Sequence, residues 1–338
     1  MLVETVPNVS EGRRLDVVER LAAALTAGDG VYLLDRTSDA SHNRSVFTVA
    51  GEHEAVSEGL ERLVEQSIAD IDMERHAGEH PRIGAVDVIP FVPLGTTTMD
   101  DCVELAREFG ARIAGRHGIP VYLYAQAATR ADRVKLADVR RGQYEGLKVE
   151  IGTNGRQPDF GPTRMHPRFG AVAVGARAFL VAWNINLETD DVDLAKRIAR
   201  RVRESGGGLP RLQANGFRVE EPERGTPVRA QVSMNLLDTT VTPIWQAWEA
   251  VRELAGEDGI RVAESELIGL APLAALLDVA DHAKVPGDAS VEDRLAGAAA
   301  AIKLRDYTPL MALELRLAAS EAAARKAAAA READRDRA

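Results

Sequence analysis

The sequence predicts an α+β fold: two tandem βαββαβ layers, ferredoxin-like in order, with helices on the outer faces and a ligand cleft between the sheets. Three observations predict it. The chain has 338 residues and is 45% hydrophobic, enough for two domains with sizeable cores. Its apolar spacing switches between the strand and helix periods in the same order twice. A proline- and glycine-rich stretch at 152–170 separates the two copies.

In the first copy, residues 2–6 read as a strand and 14–27 as a helix. Residues 30–35 and 43–50 read as strands around a polar turn from Arg36 to His42. Residues 53–69 are helical, with Val56, Leu60, Leu63, Val64 and Ile68 on one face, and 85–92 form a strand. A helix (98–116), a strand (120–124), a helical region (131–150) and a loop (152–170) follow. The second copy runs strand 178–186, helix 190–203, strands 212–219 and 228–236, helix 243–255 and a short strand 261–265. This order is the split βαβ arrangement, an antiparallel sheet with helices packed on one face. The expected domains are 1–177, 178–305 and a tail, 306–338, rich in alanine, arginine and glutamate, which reads as helical or partly disordered.

Composition narrows the function. A net charge of −10 argues against a nucleic-acid binder, which needs a basic face. No run approaches the ~18–20 apolar residues of a membrane span, and the N-terminus lacks a secretory signal, so a cytoplasmic location is expected. Cys102 is the single cysteine. It excludes an internal disulfide or multi-cysteine metal site and, beside Asp100, Asp101 and Glu104, reads as a buried, inert helix residue.

Two constellations could carry chemistry. The first runs from Gly78 to Val88 and places His80 in a polar loop ahead of a strand. Imidazole titrates nearest neutral pH, and Pro81 biases His80 towards an extended backbone, so His80 is a candidate proton carrier. Glu79, Arg82 and Asp87 lie near enough in sequence to tune it. His76, Glu79 and His80 also match the H-x-x-E-H pattern of a zinc-peptidase class. Gly78 and Pro81 spoil the helix that pattern needs, and no third ligand is obvious, so no metal is expected. The second constellation, Pro158 to Gly170, combines arginines, a histidine and aromatic rings. These could grip carboxylates and a flat heterocycle. Weaker candidates for substrate contact are Asn8, Glu11, Asp35, Asn43, Arg44, Arg82, Asn184 and Asn186. The last two stand two apart in a strand and so share a face.

Together these segments resemble the formiminotransferase family. The matching stretches are Val6 to Gly12, Asn43-Arg44, Asp72-Met73, Gly78 to Val88, Tyr122-Leu123-Tyr124, Pro158 to Pro162, Gly175-Ala176-Arg177, Asn184 to Leu187, Gln231-Val232-Ser233, Asn235 to Asp238, Gly269-Leu270 and Pro272-Leu273. The resemblance implies two α/β subdomains with a substrate tunnel between them. It implies transfer of a formimidoyl group between N-formimidoyl-L-glutamate and tetrahydrofolate in histidine breakdown and one-carbon metabolism, with tetrahydrofolate as co-substrate and a homodimer as the assembly. The family's catalytic histidine falls on His80. Its folate-binding segment falls on Gly161-Pro162-Thr163-Arg164-Met165-His166-Pro167-Arg168-Phe169-Gly170. Both substrates carry carboxylates, for which Arg44, Arg82, Arg164 and Arg168 are candidate partners.

The chain departs from the family pattern in places. The family often has a second acidic residue two positions after the equivalent of Asp35, where this chain has Thr37, with Asp39 later. If that carboxylate orients the histidine, Asp35 or Asp39 must substitute, or the group transferred differs. Arg164, His166 and Arg168 replace smaller or apolar residues, and the cyclodeaminase domain of animal members is not matched. The alternatives are formyl transfer between 5-formyltetrahydrofolate and glutamate, or a folate-binding protein without turnover.

Overall fold

The computed structural model describes residues 1–153 and 155–335; the last three residues of the expected tail lie outside the described residues. The chain divides into two compact units: Met1–Ala178, with which the stretch from Ser320 is grouped, and Phe179–Ala319.

The first unit is built on a seven-stranded mixed sheet. Its elements in order are β1 (Leu2–Thr5), β2 (Asn8–Val9), α1 (Leu15–Leu25), β3 (Val31–Asp39), β4 (Arg44–Glu52), α2 (His53–Asp70), β5 (Val86–Pro93), α3 (Met99–His117), β6 (Val121–Ala125), α4 (Leu136–Val139), α5 (Gln143–Glu150) and β7 (Val172–Ala176). Across the sheet the order is β3, β4, then β1 and β2 sharing one place, β5, β7 and β6. The pairings from β3 to β5 are antiparallel, and those of β7 with β5 and β6 are parallel.

The apolar positions that define the helices in sequence do pack against the sheet. Leu21 and Leu25 of α1, Leu60 and Leu63 of α2, and Phe109 and Ile113 of α3 form one core with Val3, Phe47, Val49, Ile89, Phe91 and Val174. α3 opens on a capping box between Thr98 and Asp101 and closes on Gly118 in the left-handed region, φ 65°. Cys102 is buried in this core, and burial, with Asp101 adding to it, pushes its thiol up to about 12. A smaller core lies on the other sheet face. Val139, Leu147 and Ile151 cover Val88, Tyr122, Tyr124 and Ala173. Successive residues of β6 therefore alternate between two cores, Val121 and Leu123 against Tyr122 and Tyr124.

Two expectations need correction. The polar stretch Arg36–Asp39 is strand, paired residue for residue with Phe47 back to Arg44, so the turn shrinks to residues 40–43. β3 pairs only with β4, and an edge strand tolerates exposed polar side chains. β7 lies where the reading placed only loop and boundary.

The second unit contains β8 (Val181–Leu187), α6 (Val192–Val202), β9 (Leu212–Val219), β10 (Arg229–Leu236), α7 (Ile244–Glu257), β11 (Val262–Ile268), α8 (Leu273–His282) and α9 (Val291–Ala301). α10 (Leu313–Arg335) follows. The sheet is antiparallel in the order β11, β8, β10, β9. Trp183 and Ile185 of β8 pack with Ile198 of α6 and Trp248 of α7 on one face. Asn184 and Asn186 occupy the alternate positions. Gln231 donates to Asn186 Oδ1 (3.0 Å), Asn186 donates to Glu264 (3.1 Å), and Asn184 donates to Glu266 (3.3 Å). That face carries a hydrogen-bonded polar ladder in place of an apolar core. Among the described residues no helix is long and apolar enough to cross a membrane.

Candidate active site

Four loops of the first unit meet at one end of its sheet. Ser10 donates its backbone N–H to the Ala85 carbonyl and its hydroxyl to the Gly84 carbonyl, both at 2.8 Å. Gly12 donates to Asn43 Oδ1 (3.0 Å), and Asn43 Nδ2 donates to the Ala77 carbonyl (3.0 Å). Asn43 sits in the left-handed region, φ 48°, which asparagine tolerates better than most residues. Gly78 presses on the same hairpin so closely that a Cβ there would lie 2.3 Å from the His42 carbonyl oxygen. Gly84 forms an antiparallel bridge with Gly170. The two constellations of the sequence, bridged between residues 84 and 170, are therefore joined through backbone.

His80 stands in this junction, 9% exposed, with no hydrogen bond to its ring from the described residues. Burial, and then the nearby Arg44, Arg140 and Arg82 guanidinium groups and the His42 ring, pull its pKa down to about 3. The ring is thus neutral at physiological pH.

The surrounding cations differ in their bonding. Arg82, buried, is gripped by Glu145 (2.6 and 2.9 Å) and donates through Nε to His76 Nδ1 (3.2 Å). His76 Nε2 faces the Asn43 carbonyl at 3.1 Å, so His76 is neutral and carries its proton on Nε2, in keeping with the downward push of burial on its pKa. Arg140 is tied to Asp87, which is fully buried and also accepts the Ile83 N–H at 2.9 Å. Arg44 is the exception. Its Nε is buried without a hydrogen-bond partner, it forms no ion pair among the described residues, and burial lowers its pKa.

Two family descriptions cover most of the chain: the formiminotransferase domain, N-terminal subdomain, over residues 2–177, and the formiminotransferase domain over 182–294. The chain belongs to the formiminotransferase family. It is 44% identical over 281 residues to the glutamate formimidoyltransferase of Streptococcus pyogenes serotype M1, covering 83% of this chain and 92% of that one. It is also 44% identical over 283 residues to the glutamate formimidoyltransferase of Thermoplasma acidophilum, covering 83% and 91%. The formimidoyltransferase-cyclodeaminase of Sus scrofa is 44% identical over 285 residues, which make up 82% of this chain and 52% of that protein.

In this formiminotransferase the segment Gly161–Gly170 is a structured loop with divided duties. Phe160 accepts the Val121 N–H, and Gly161, φ 87°, lies where a Cβ would meet the Ile119 carbonyl oxygen at 2.4 Å. His166 and Gly170 exchange backbone hydrogen bonds at 3.0 Å. His166 Nδ1 accepts the N–H groups of Phe169 (3.0 Å) and Arg168 (3.3 Å), and its ring meets Phe169 edge-on. Arg168 donates to the Ile68 and Ala69 carbonyls, both at 2.9 Å, at the C-terminus of α2. Phe169 is a core residue, and Met165 packs against both cores. Pro162, Thr163, Arg164 and Pro167 are the partly or fully exposed remainder, and Arg164 makes no side-chain bond among the described residues.

The other candidates are placed as follows. Glu11 accepts the N–H groups of Arg13 and Arg14 (both 2.9 Å) and pairs with the Arg14 side chain, in the turn just ahead of α1. Asn8 donates to the Val6 carbonyl at 3.0 Å. Asp35 lies at the irregularity of β3 opposite Thr48, and Thr37 is exposed opposite Val46. Asp39 holds His42, accepting its backbone N–H (2.8 Å) and contacting its ring (2.9 Å). No carboxylate among the described residues hydrogen-bonds His80. The H-x-x-E-H residues are not helical. The one carboxylate–histidine group compact enough for a metal among the described residues is Glu61, Glu65 and His117, and there Arg112 and Arg116 already pair with Glu61. Sequence reasoning missed Arg140, Gln143 and Glu145. Each lies more than fifty residues from its partner, so no local signal marked them.

Proposed function

We propose that the protein transfers a formimidoyl group between N-formimidoyl-L-glutamate and tetrahydrofolate, giving 5-formimidoyltetrahydrofolate and L-glutamate, with His80 as general acid/base. The observation that carries this reading is 44% identity over 83% of the chain to a glutamate formimidoyltransferase. N5 of tetrahydrofolate attacks the formimidoyl carbon, the bond from that carbon to the glutamate nitrogen breaks, and one proton passes from N5 to the departing nitrogen. A neutral imidazole can accept the first proton and deliver it to the second site. His80 is neutral, buried and free of other bonds, which supports the role. The exposed part of Gly161–Gly170 is the folate contact in this reading, with Phe169 and His166 holding the loop's shape.

The chain is read as an N-terminal subdomain over 1–177, a C-terminal one over 178–305 and a helical or partly disordered tail over 306–338. Each subdomain is taken as ferredoxin-like. The antiparallel orders β3-β4-β1-β5 and β9-β10-β8-β11 support this, since each follows the strand order expected of a split βαβ sheet.

Mixing protein, tetrahydrofolate and N-formimidoyl-L-glutamate tests the activity, with 5-formimidoyltetrahydrofolate expected by absorbance; no transfer at high enzyme concentration overturns it. His80→Gln is expected to lower kcat by about 10²–10⁴-fold. A parallel reaction with 5-formyltetrahydrofolate and L-glutamate separates formimidoyl from formyl transfer.

A further inference from the structure

We propose that Arg44 binds the α-carboxylate of the glutamyl substrate beside His80, so that the substrate's own charge completes the proton carrier. This deepens the function proposed above and rests on His80 as the proton carrier.

Arg44 opens β4, immediately after the turn that Gly12 and Gly78 hold. Of the arginines around His80, Arg82 is taken by Glu145 and Arg140 by Asp87. The two carboxylates that act on Arg44, Asp39 and Asp87, are bonded to His42 and to Arg140 with Ile83. Arg44 thus keeps its charge with Nε buried and unbonded. Arg44 is half-buried, with Nε out of reach of water and no anion bonded to it; a partly desolvated cation of this kind favours an anionic partner, and its planar fork matches a carboxylate. N-formimidoyl-L-glutamate supplies one in the right place. Its α-carboxylate and reacting nitrogen sit on the same carbon, so an arginine beside the proton carrier can hold the first while His80 serves the second. The tail carboxylates of folate are separated from N5 by the whole aminobenzoyl bridge and fit this position less well.

The charged and titratable groups facing His80 are Arg44 from β4, Arg140 from the end of α4, His42 from the hairpin and Arg82 from its own loop. Asp39, Asp87 and Glu145 offset His42, Arg140 and Arg82, which leaves Arg44 uncompensated. Burial and this charge leave the free enzyme with a very weak base. A carboxylate on Arg44 cancels the charge and raises the basicity of His80 when the proton has to move.

The test uses the full chain and two readouts. Arg44→Gln should raise KM for N-formimidoyl-L-glutamate on the order of 100-fold and leave KM for tetrahydrofolate unchanged, with Arg44→Lys intermediate. In an NMR titration of the His80 ring, L-glutamate should move the midpoint upward in the wild type and leave it unmoved in Arg44→Gln. An Arg44→Gln enzyme with wild-type KM for the glutamyl substrate overturns the proposal. So does a rise confined to tetrahydrofolate, which would assign Arg44 to the folate tail. The wild-type titration needs no variant to fold, and a His80 midpoint indifferent to L-glutamate overturns it equally. Failure of the His80 reading is separate: His80→Gln would retain transfer while glutamate affinity still depended on Arg44.

Discussion

Asp87 braces the His80 loop without hydrogen-bonding His80 itself. One oxygen accepts the Ile83 N–H and the other pairs with Arg140, with Asp87 itself 1% exposed. Breaking a buried pair by removing one partner strands the other charge, which costs about 3–5 kcal/mol. Arg140 is 17% exposed, so Asp87→Asn should fall near the lower end of that range. Denaturant unfolding checks this, and a loss below about 0.5 kcal/mol would show the pair to be dispensable. The double variant Asp87→Asn/Arg140→Met should recover part of the loss. At this scale the sequence is informative where chemistry is local. Pro81 marks the extended backbone of His80, and Gly78 marks the close approach to the hairpin. Arg44 stands among the sequence candidates, but its lack of a partner depends on where Asp87, Arg140, Glu145 and Arg82 come to rest. Each of those pairs closes a loop of more than fifty residues.

Elements carry the second kind of constraint. The C-terminus of α2 is satisfied from a distance by Arg168, whose side chain donates to two of its last carbonyls. Arg168→Ala should therefore cost about 0.5–1 kcal/mol and leave KM for tetrahydrofolate unchanged; a rise in that KM without loss of stability would place Arg168 against the substrate. The bridge between Gly84 and Gly170 allows no side chain, since a Cβ on Gly84 would lie 1.9 Å from the Ala171 carbonyl oxygen. Gly84→Ala should lower the thermal midpoint and kcat together, because it separates the His80 loop from Gly161–Gly170; unchanged values of both would refute the coupling. Helices were the easier elements to read, because α1, α2 and α3 each show a long apolar period against a polar face. β7 was harder. Ala171 to Ala176 is a short run of small residues, buried on both faces, and its parallel partners β5 and β6 come from elsewhere in the chain. β3 ran past its expected end because an edge strand needs no apolar residue on its outer side.

Across the whole molecule, the repeated order of elements was visible because each unit repeats its own switch of period, whereas the extension of the first sheet by β7 and β6 has no counterpart in the second. The pH dependence of stability sums groups from many elements. His76, His80 and His166 are all held below the ordinary histidine value, in each case chiefly by burial. In the unfolded chain they take up protons near pH 6.5, whereas the native state resists doing so, down to about 3 for His80. The unfolded state then binds more protons, so stability is fully present above about pH 6.5 and falls as the pH drops below it. A second group acts lower. Glu145 is held down by its hydrogen bonds from Arg82, Glu74 by Lys148 and Asp39 by the His42 backbone. Their contribution is present above the ordinary carboxylate range near pH 4 and is lost as the pH falls through their lowered values. The apparent unfolding midpoint should therefore begin to decline below about pH 6.5 and fall more steeply below about pH 4.5, where the carboxylates join the histidines. His80→Gln should lessen the decline all the way from about pH 6.5 to about pH 3, and leave the carboxylate contribution in place. A midpoint that stays level from pH 7 to 5 would mean that these histidines accept protons in the native state as readily as in the unfolded one.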